Sequence, residues 1–122
     1  MRRALVLVLL GLVATACQNR PNDEAIALTG GNPERGRAAI RAYGCGGCHT
    51  IPGVPGANGL VGPPLTGLAL RSYLAGVLPN TADNLERWVM EPQQVVPGNA
   101  MPNMGVTAAQ ARDMAAYLYT LK

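Results

Sequence analysis

A five-residue run, Cys45-Gly46-Gly47-Cys48-His49, constrains this chain more than any other feature. Two thiols three residues apart, followed directly by an imidazole, form the spacing typical of covalent c-type haem attachment. In that chemistry each thiol adds to a vinyl group of haem, and the short turn places the His ring against one face of the iron. Neutral imidazole nitrogen is a common iron ligand. The run therefore predicts one covalent haem c held by Cys45, Cys48 and His49.

Two other interpretations of the same residues are open. A Cys-x-x-Cys pair can be a thioredoxin-like redox site, but such sites occur in a βαβ context, and no strand-like run precedes Cys45. A zinc site would need a fourth ligand besides Cys45, Cys48 and His49. The domain has no further Cys or His, so that ligand would have to be a carboxylate. Haem attachment is the interpretation that we adopt.

Size and composition favour one small domain built around a cofactor. The chain has 122 residues, with 15 Gly, 10 Pro and no Phe. Long turns and a modest core are therefore expected, and a bound haem supplies part of the missing apolar bulk. Without Arg2 and Arg3 of the leader, eight basic residues remain against seven acidic ones. This near balance gives no support to nucleic-acid binding.

The N-terminus resembles the leader of a bacterial lipoprotein. Arg2 and Arg3 precede an apolar stretch over residues 4–14 that is too short to span a bilayer. Small residues then precede Cys17, as in the lipobox, where the leader is cut before an acylated Cys. We expect a signal peptide over residues 1–16, lipidation at Cys17, export, and a periplasmic or extracytoplasmic position on a membrane. Lipidation also accounts for the third Cys, while ordinary secretion with an incidental Cys is the alternative.

Residues 17–31 are predicted to form the lipidated Cys and a flexible tether. They are polar, show no periodic apolar pattern and end in Gly30-Gly31. A flexible coil of this length has a reach of roughly 20 Å. The folded domain is then expected over residues 32–122, close to the membrane surface.

A first helix is predicted from Asn32 to about Tyr43. Asn32 suits the N-cap and Pro33 suits the first helical position. Ile40 and Tyr43 are expected to face the core. Gly36 lies inside this helix at a cost of about 1 kcal/mol relative to Ala, so we expect it to permit close approach of another backbone.

Two further helices follow later in the chain. One begins after the N-cap Thr81 and ends near Glu91, because Pro92 disfavours helical geometry in the residue before it. Its apolar stripe is formed by Leu85, Trp88 and Val89. The last helix opens with the capping box Thr107-Ala108-Ala109-Gln110 and repeats apolar residues at helical spacing to the C-terminus.

Two segments beyond the haem motif make the chain resemble class I cytochromes c. These segments are Gly62-Pro63-Pro64-Leu65 and Pro97-Gly98-Asn99-Ala100-Met101-Pro102. The resemblance implies an all-α fold, with three to five helices wrapped around one covalent haem. It also implies that Met101 binds iron opposite His49. Met104, in the same loop, is the rival for that position.

The resemblance implies roles for three more residues and one helix contact. Pro63 would offer its carbonyl to the Nδ1 hydrogen of His49, and Arg71 would lie beside a haem propionate, although a solvated surface Arg is the simpler alternative. Trp88 would line the haem pocket, and it also suits the core. Gly36 would pack against the Tyr117–Leu118 region of the last helix. The stretches Leu78-Pro79-Asn80-Thr81 and Ala116-Tyr117-Leu118 are similar to cytochrome c modules attached to haem-copper oxidases.

The function implied by this resemblance is single-electron transfer rather than catalysis. A membrane-tethered carrier would take electrons from a quinol-oxidising complex or a dehydrogenase and pass them to a terminal oxidase or reductase. The alternative is a fixed haem c subunit of a larger oxidase or dehydrogenase complex. An enzyme or gas sensor would need an open iron position or a distal acid–base group, and His49 is the one His of the chain.

Overall fold

A computed structural model describes residues 20–122, and this part of the chain is mostly helical. Its α-helices are α1 (Arg20–Thr29), α2 (Pro33–Ala42), α3 (Ala82–Met90), α4 (Pro92–Val95) and α5 (Ala108–Leu118). Short 3₁₀ helices lie at Cys45–Gly47 and Leu68–Leu70, and an antiparallel hairpin pairs β1 (Tyr73–Leu74) with β2 (Leu78–Pro79). The predicted all-α class is confirmed. No helix described here is long and apolar enough to cross a membrane.

The predicted leader, residues 1–16, and the predicted lipidation site Cys17 lie outside the described residues.

Helix α2 begins and ends where its caps predict. The Asn32 side chain accepts a hydrogen bond from the Arg35 backbone N–H at 2.9 Å, and Pro33 is the first helical residue. Ile40 is buried at 2% exposure, and the half-buried Tyr43 packs against the core, as expected.

Gly36 is the point where α2 and α5 touch. A Cβ atom built on Gly36 would lie 1.8 Å from the backbone oxygen of Asp113 and 2.9 Å from the backbone nitrogen of Met114. The predicted close approach is therefore confirmed, but its predicted position opposite Tyr117 and Leu118 is wrong. The contact lies one helical turn nearer the start of α5.

The side chain of Asp113 explains this register. Its carboxylate accepts hydrogen bonds from the Asn32 backbone N–H at 2.7 Å and from the Arg35 side chain at 2.7 and 2.9 Å. It thereby joins the first turn of α2 to the middle of α5. The Arg35 guanidinium holds the pKa of the Asp113 carboxyl below its ordinary value.

Helix α5 buries the face that its pattern predicts, whereas α3 buries only Leu85 of its predicted stripe and leaves Trp88 and Val89 half-buried. Thr81 caps α3, and Thr107 forms the capping box of α5 with Gln110. Leu85 of α3 is buried at 1% exposure. The apolar residues of α5 form the centre of the core: Ala111, Met114, Ala115 and Leu118.

The flexible tether predicted over residues 17–31 is wrong for the part that the structure describes. Helix α1 packs against α5, and its Ala25 is buried at 1% exposure. The side chain of Glu24 pairs with Lys122 at the C-terminus. Sequence periodicity gave no sign of this helix because its larger apolar residues, Ile26 and Leu28, are exposed. A small residue makes the buried contact instead.

Candidate functional site

The Cys45–His49 segment forms a single tight turn directly after α2. The backbone N–H groups of Cys48 and His49 both donate to the Cys45 carbonyl, at 3.2 and 3.0 Å. Cys45 is half-buried and packs against the core, whereas Cys48 is exposed, and both thiols are free. The turn thus presents two thiols and one imidazole within five residues on a rigid support.

The His49 ring is held by the segment that follows it. Its Nδ1 lies 2.7 Å from the Pro63 carbonyl oxygen. Since a carbonyl oxygen only accepts, Nδ1 carries the hydrogen and the Nε2 lone pair is free to bind a metal. Gly62 lies directly on the ring, because a Cβ there would be 2.3 Å from Cε1. Its N–H donates to the Cys48 carbonyl at 2.8 Å.

Arg71 supports the residues that follow Pro63 in the same segment. Its Nη2 donates to the carbonyl oxygens of Pro64 and Thr66, the latter at 3.2 Å. Arg71 is therefore engaged with backbone just beyond Pro63 and is not a freely solvated side chain. Its place beside a propionate stays a prediction.

Met101 and Trp88 lie on a separate part of the chain. Met101 is half-buried in the loop after α4, whereas its rival Met104 is 45% exposed. Trp88 is half-buried on α3 and lies outside the buried cluster that forms the core.

Tyr43, two residues before Cys45, donates from its hydroxyl to Gln110 at 2.8 Å and thus links the haem motif to the start of α5.

Three amide side chains whose contacts the sequence does not predict hold these loops. Asn80 donates to the carbonyls of Leu68 and Arg71, both at 2.9 Å, while Gln93 and Asn99 bind the backbone around Met101. Amides within Pro- and Gly-rich stretches often hold turns by such bonds. That tendency alone does not say which backbone groups they reach.

The thiol environment differs from that of a reactive dithiol. Burial raises the pKa of the Cys45 thiol, with a smaller contribution from Cys48. Thioredoxin-like sites use a lowered thiol pKa, and no strand precedes Cys45 among the described residues. Within residues 20–122, no group of three or more His, Cys, Asp or Glu side chains is arranged to hold a metal ion.

The residues present fit a haem by their donor chemistry. Free thiols, a His with an available Nε2 and a half-buried thioether are the groups that c-type haem requires. The segments beside Pro63 and Arg71 add exposed apolar side chains, with Leu60 89%, Val61 72% and Leu70 73% exposed. Such side chains suit the apolar faces of a porphyrin.

A surface groove elsewhere on the domain has different chemistry. It has a volume of about 510 Å³ and lies between α2 and residues 54–55. Its lining includes Arg37 and Arg41 but none of the predicted haem-binding residues. The groove is therefore separate from the site formed around His49.

The fold and this site define a small helical domain that presents two free Cys thiols and an oriented His on one turn. A sequence model of the cytochrome c family matches residues 33–122. The chain belongs to the cytochrome c family, and it is a class I c-type cytochrome module. Domains of this family bind haem and carry electrons.

Two curated relatives share this domain. The chain is 35% identical over 89 residues to cytochrome c oxidase subunit 2 of Alkalihalophilus pseudofirmus, and 32% identical over 88 residues to that of Bacillus sp. (strain PS3). These alignments cover 72% and 69% of this chain and 25% of each relative. The chain thus spans about a quarter of the length of the relatives it matches. No solved structure gives a significant match.

Proposed function

We propose that this protein is a membrane-tethered cytochrome c with one covalent haem, and that it carries single electrons in a respiratory chain. The observation that carries the proposal is the His49 ring, held at Nδ1 by the Pro63 carbonyl 2.7 Å away and set directly after the turn that carries two free thiols. When bound, the haem iron takes up and releases one electron. The protein supplies attachment, axial ligands and an apolar surrounding.

Attachment uses the thiols of Cys45 and Cys48. With haem bound, each S–H would add across one vinyl double bond, so that sulfur would bind one vinyl carbon and the hydrogen would go to the other. No oxidant or reductant is consumed. The half-buried Cys45 begins one short 3₁₀ turn and the exposed Cys48 caps it, which would set the position of both thioethers relative to His49.

His49, through Nε2, and Met101, through its thioether, would hold the haem iron. The hydrogen bond from Nδ1 to Pro63 fixes the ring and increases its donor strength. Met101 is favoured over Met104 because it is half-buried, while Met104 is 45% exposed. A Met–His pair raises the reduction potential and keeps two protein ligands in both oxidation states.

The proposed location is the extracytoplasmic face of a membrane, with lipid on Cys17. Electrons would come from a quinol-oxidising complex or a dehydrogenase and pass to a terminal oxidase or reductase. The test is Cys17→Ala, which should move the protein from the membrane to the soluble fraction, since two or three lipid chains anchor stably. Gln18→Ala is the matched control and should stay bound. Wild-type protein found wholly in the soluble fraction would contradict the anchor.

A second candidate is a fixed haem c subunit of a larger complex, and helix α1 favours it. Only Gln18 and Asn19 separate Cys17 from Arg20, where α1 begins. Three residue steps reach at most about 11 Å, so a lipid at Cys17 would leave the docked domain little freedom to travel. The similarity to two cytochrome c oxidase subunits 2 points in the same direction.

Purification from membranes in mild detergent separates the two candidates. A carrier should elute alone, whereas a fixed subunit should elute with partner chains at constant stoichiometry. A repeat in high salt removes electrostatically bound partners, because screening weakens contacts between exposed charges. Partners that survive high salt support the fixed subunit, and their loss supports the carrier.

A further inference from the structure

The side chain of Gln93, on the short helix α4, uses its amide to hold the Met101 loop. Its Nε2 donates to the carbonyl oxygens of Asn99 at 2.8 Å and Met101 at 2.7 Å. Its Oε1 accepts from the backbone N–H of Gly98 at 3.1 Å. Both amide hydrogens and the amide oxygen are thus engaged with three residues of one loop.

Asn99 also holds Met101, through the backbone N–H rather than the carbonyl. Its Oδ1 accepts from the Met101 N–H at 2.7 Å, while its Nδ2 donates to the carbonyls of Pro92 at 2.9 Å and Val96 at 2.6 Å. Met101 therefore has both its N–H and its carbonyl bound by side-chain amides. No regular secondary structure supplies these bonds.

Helix α4 connects these hydrogen bonds around Met101 to the core. Pro92, the first residue of α4, is among the largest fully buried side chains in the described part of the chain. Gln93 follows it directly, so its backbone position is set by the packing of α4. A fourth hydrogen bond of Gln93, from its backbone N–H to the Asn103 side chain at 3.2 Å, binds the loop beyond Met101.

We infer that Gln93 is a positioning residue for the sulfur ligand of the haem. By fixing the Met101 backbone, it orders the loop before sulfur binds and removes the entropy cost of ordering it at that moment. A thioether is a weak, neutral ligand that competes with added ligands for iron, so such preorganisation decides how well it competes. The inference rests on the proposed role of Met101.

The test is Gln93→Leu, which keeps the approximate size and removes all three hydrogen bonds. Ferric protein with haem attached is titrated with imidazole, and the sulfur-to-iron absorption band near the red edge of the visible is recorded. We expect imidazole affinity to rise about tenfold or more, given the loss of several hydrogen bonds, and the band to weaken. Gln94→Leu, at the exposed neighbouring amide, is the matched control and should behave as wild type.

Met101→Ala, measured in the same titration, separates the proposed role of Met101 as a ligand from the inferred role of Gln93 in positioning it. If Met101→Ala changes neither the band nor imidazole affinity, the proposed ligand is wrong. If Met101→Ala changes both while Gln93→Leu matches Gln94→Leu, the positioning role is overturned. Should Gln93→Leu fail to take up haem, Gln93→Glu replaces it, since it keeps the acceptor for Gly98 and lacks both donors. A wild-type imidazole affinity in Gln93→Glu would equally overturn the inference.

Discussion

His49 and Met101 are held by different means although both are proposed to bind the same iron. His49 is fixed through its ring, by the Pro63 carbonyl at 2.7 Å and by Gly62 beneath the imidazole. Met101 is fixed through its backbone, by Gln93 and Asn99. A charged or strongly binding ligand needs less support than a thioether, so the denser network around Met101 fits its weaker affinity.

The choice between the two Met residues of the loop is tested by Met101→Ala and Met104→Leu. Met101→Ala should abolish the sulfur-to-iron band of ferric protein, lower the reduction potential and admit small ligands. Met104→Leu should change none of these, because this side chain is 45% exposed. If Met104→Leu alone removes the band, the ligand assignment is wrong.

Tyr119 makes the free energy of unfolding depend on pH in the alkaline range. Its hydroxyl donates to Asn80 at 2.8 Å, and burial, aided by Glu86, raises its pKa to about 12. An unfolded Tyr titrates near pH 10, so the folded chain favours the neutral phenol. This contribution is complete below about pH 10 and is lost as pH rises toward 12.

We therefore expect Tyr119→Phe to make the free energy of unfolding fall less steeply across that range. Burial also raises the pKa of Tyr117, so part of the slope should remain. Urea unfolding at a series of alkaline pH values measures it, with Tyr73→Phe, at an exposed Tyr, as the control. An unchanged slope in Tyr119→Phe would show that this phenol is not coupled to folding.

The crossing of α2 and α5 is the central contact between elements. Gly36 allows the two backbones to touch, and Asp113 fixes their register through Asn32 and Arg35. Because the haem motif begins three residues after α2 ends, at Cys45, this crossing also sets where the motif lies relative to the core.

Gly36→Ala should separate these two helices. An added methyl would lie 1.8 Å from a backbone oxygen, which cannot rotate away as a side chain can. Overpacking outweighs the gain in helix propensity, and we expect a net loss of roughly 2 kcal/mol in the free energy of unfolding. Gly47→Ala is the control, since its methyl meets no atom within 4 Å. Equal stability of the two variants would contradict the crossing.

Local signals in the sequence predicted some elements and missed others for physical reasons. The starts of α2, α3 and α5 follow from caps at Asn32, Thr81 and Thr107, which are properties of a few adjacent residues. The one-turn helix α4 was not predicted, because four residues are too few to show a helical repeat of apolar residues. The turn of α5 that contacts Gly36 was also not predicted, since it depends on hydrogen bonds that the Asp113 side chain of α5 accepts from the start of α2.

At the scale of the molecule, α1 changes how the domain is expected to relate to its proposed anchor. A flexible segment would let the domain move, whereas α1 is packed against α5 and its Glu24 pairs with Lys122. The folded domain therefore includes α1, Arg20–Thr29. It extends beyond the residues 33–122 that match the family.

Ala25→Glu should undock this helix. Ala25 is 1% exposed, and a buried carboxylate without a partner costs on the order of 2 kcal/mol or more. We expect amide hydrogen exchange over residues 20–29 to become fast while α5 remains protected. Ala27→Glu, on the exposed face, is the control and should keep the wild-type exchange pattern. Protection of α1 in Ala25→Glu would contradict the docked arrangement.

The central claim is covalent haem on the Cys45–His49 turn, and extraction with acidified organic solvent tests it most directly. Haem should stay with the wild-type polypeptide and with Cys17→Ala, because Cys45 and Cys48 are the proposed attachment residues. It should be extracted from Cys45→Ala/Cys48→Ala, if that variant retains haem at all. Haem extracted freely from the wild-type protein, or purified wild-type protein that carries zinc and no haem, would contradict the account.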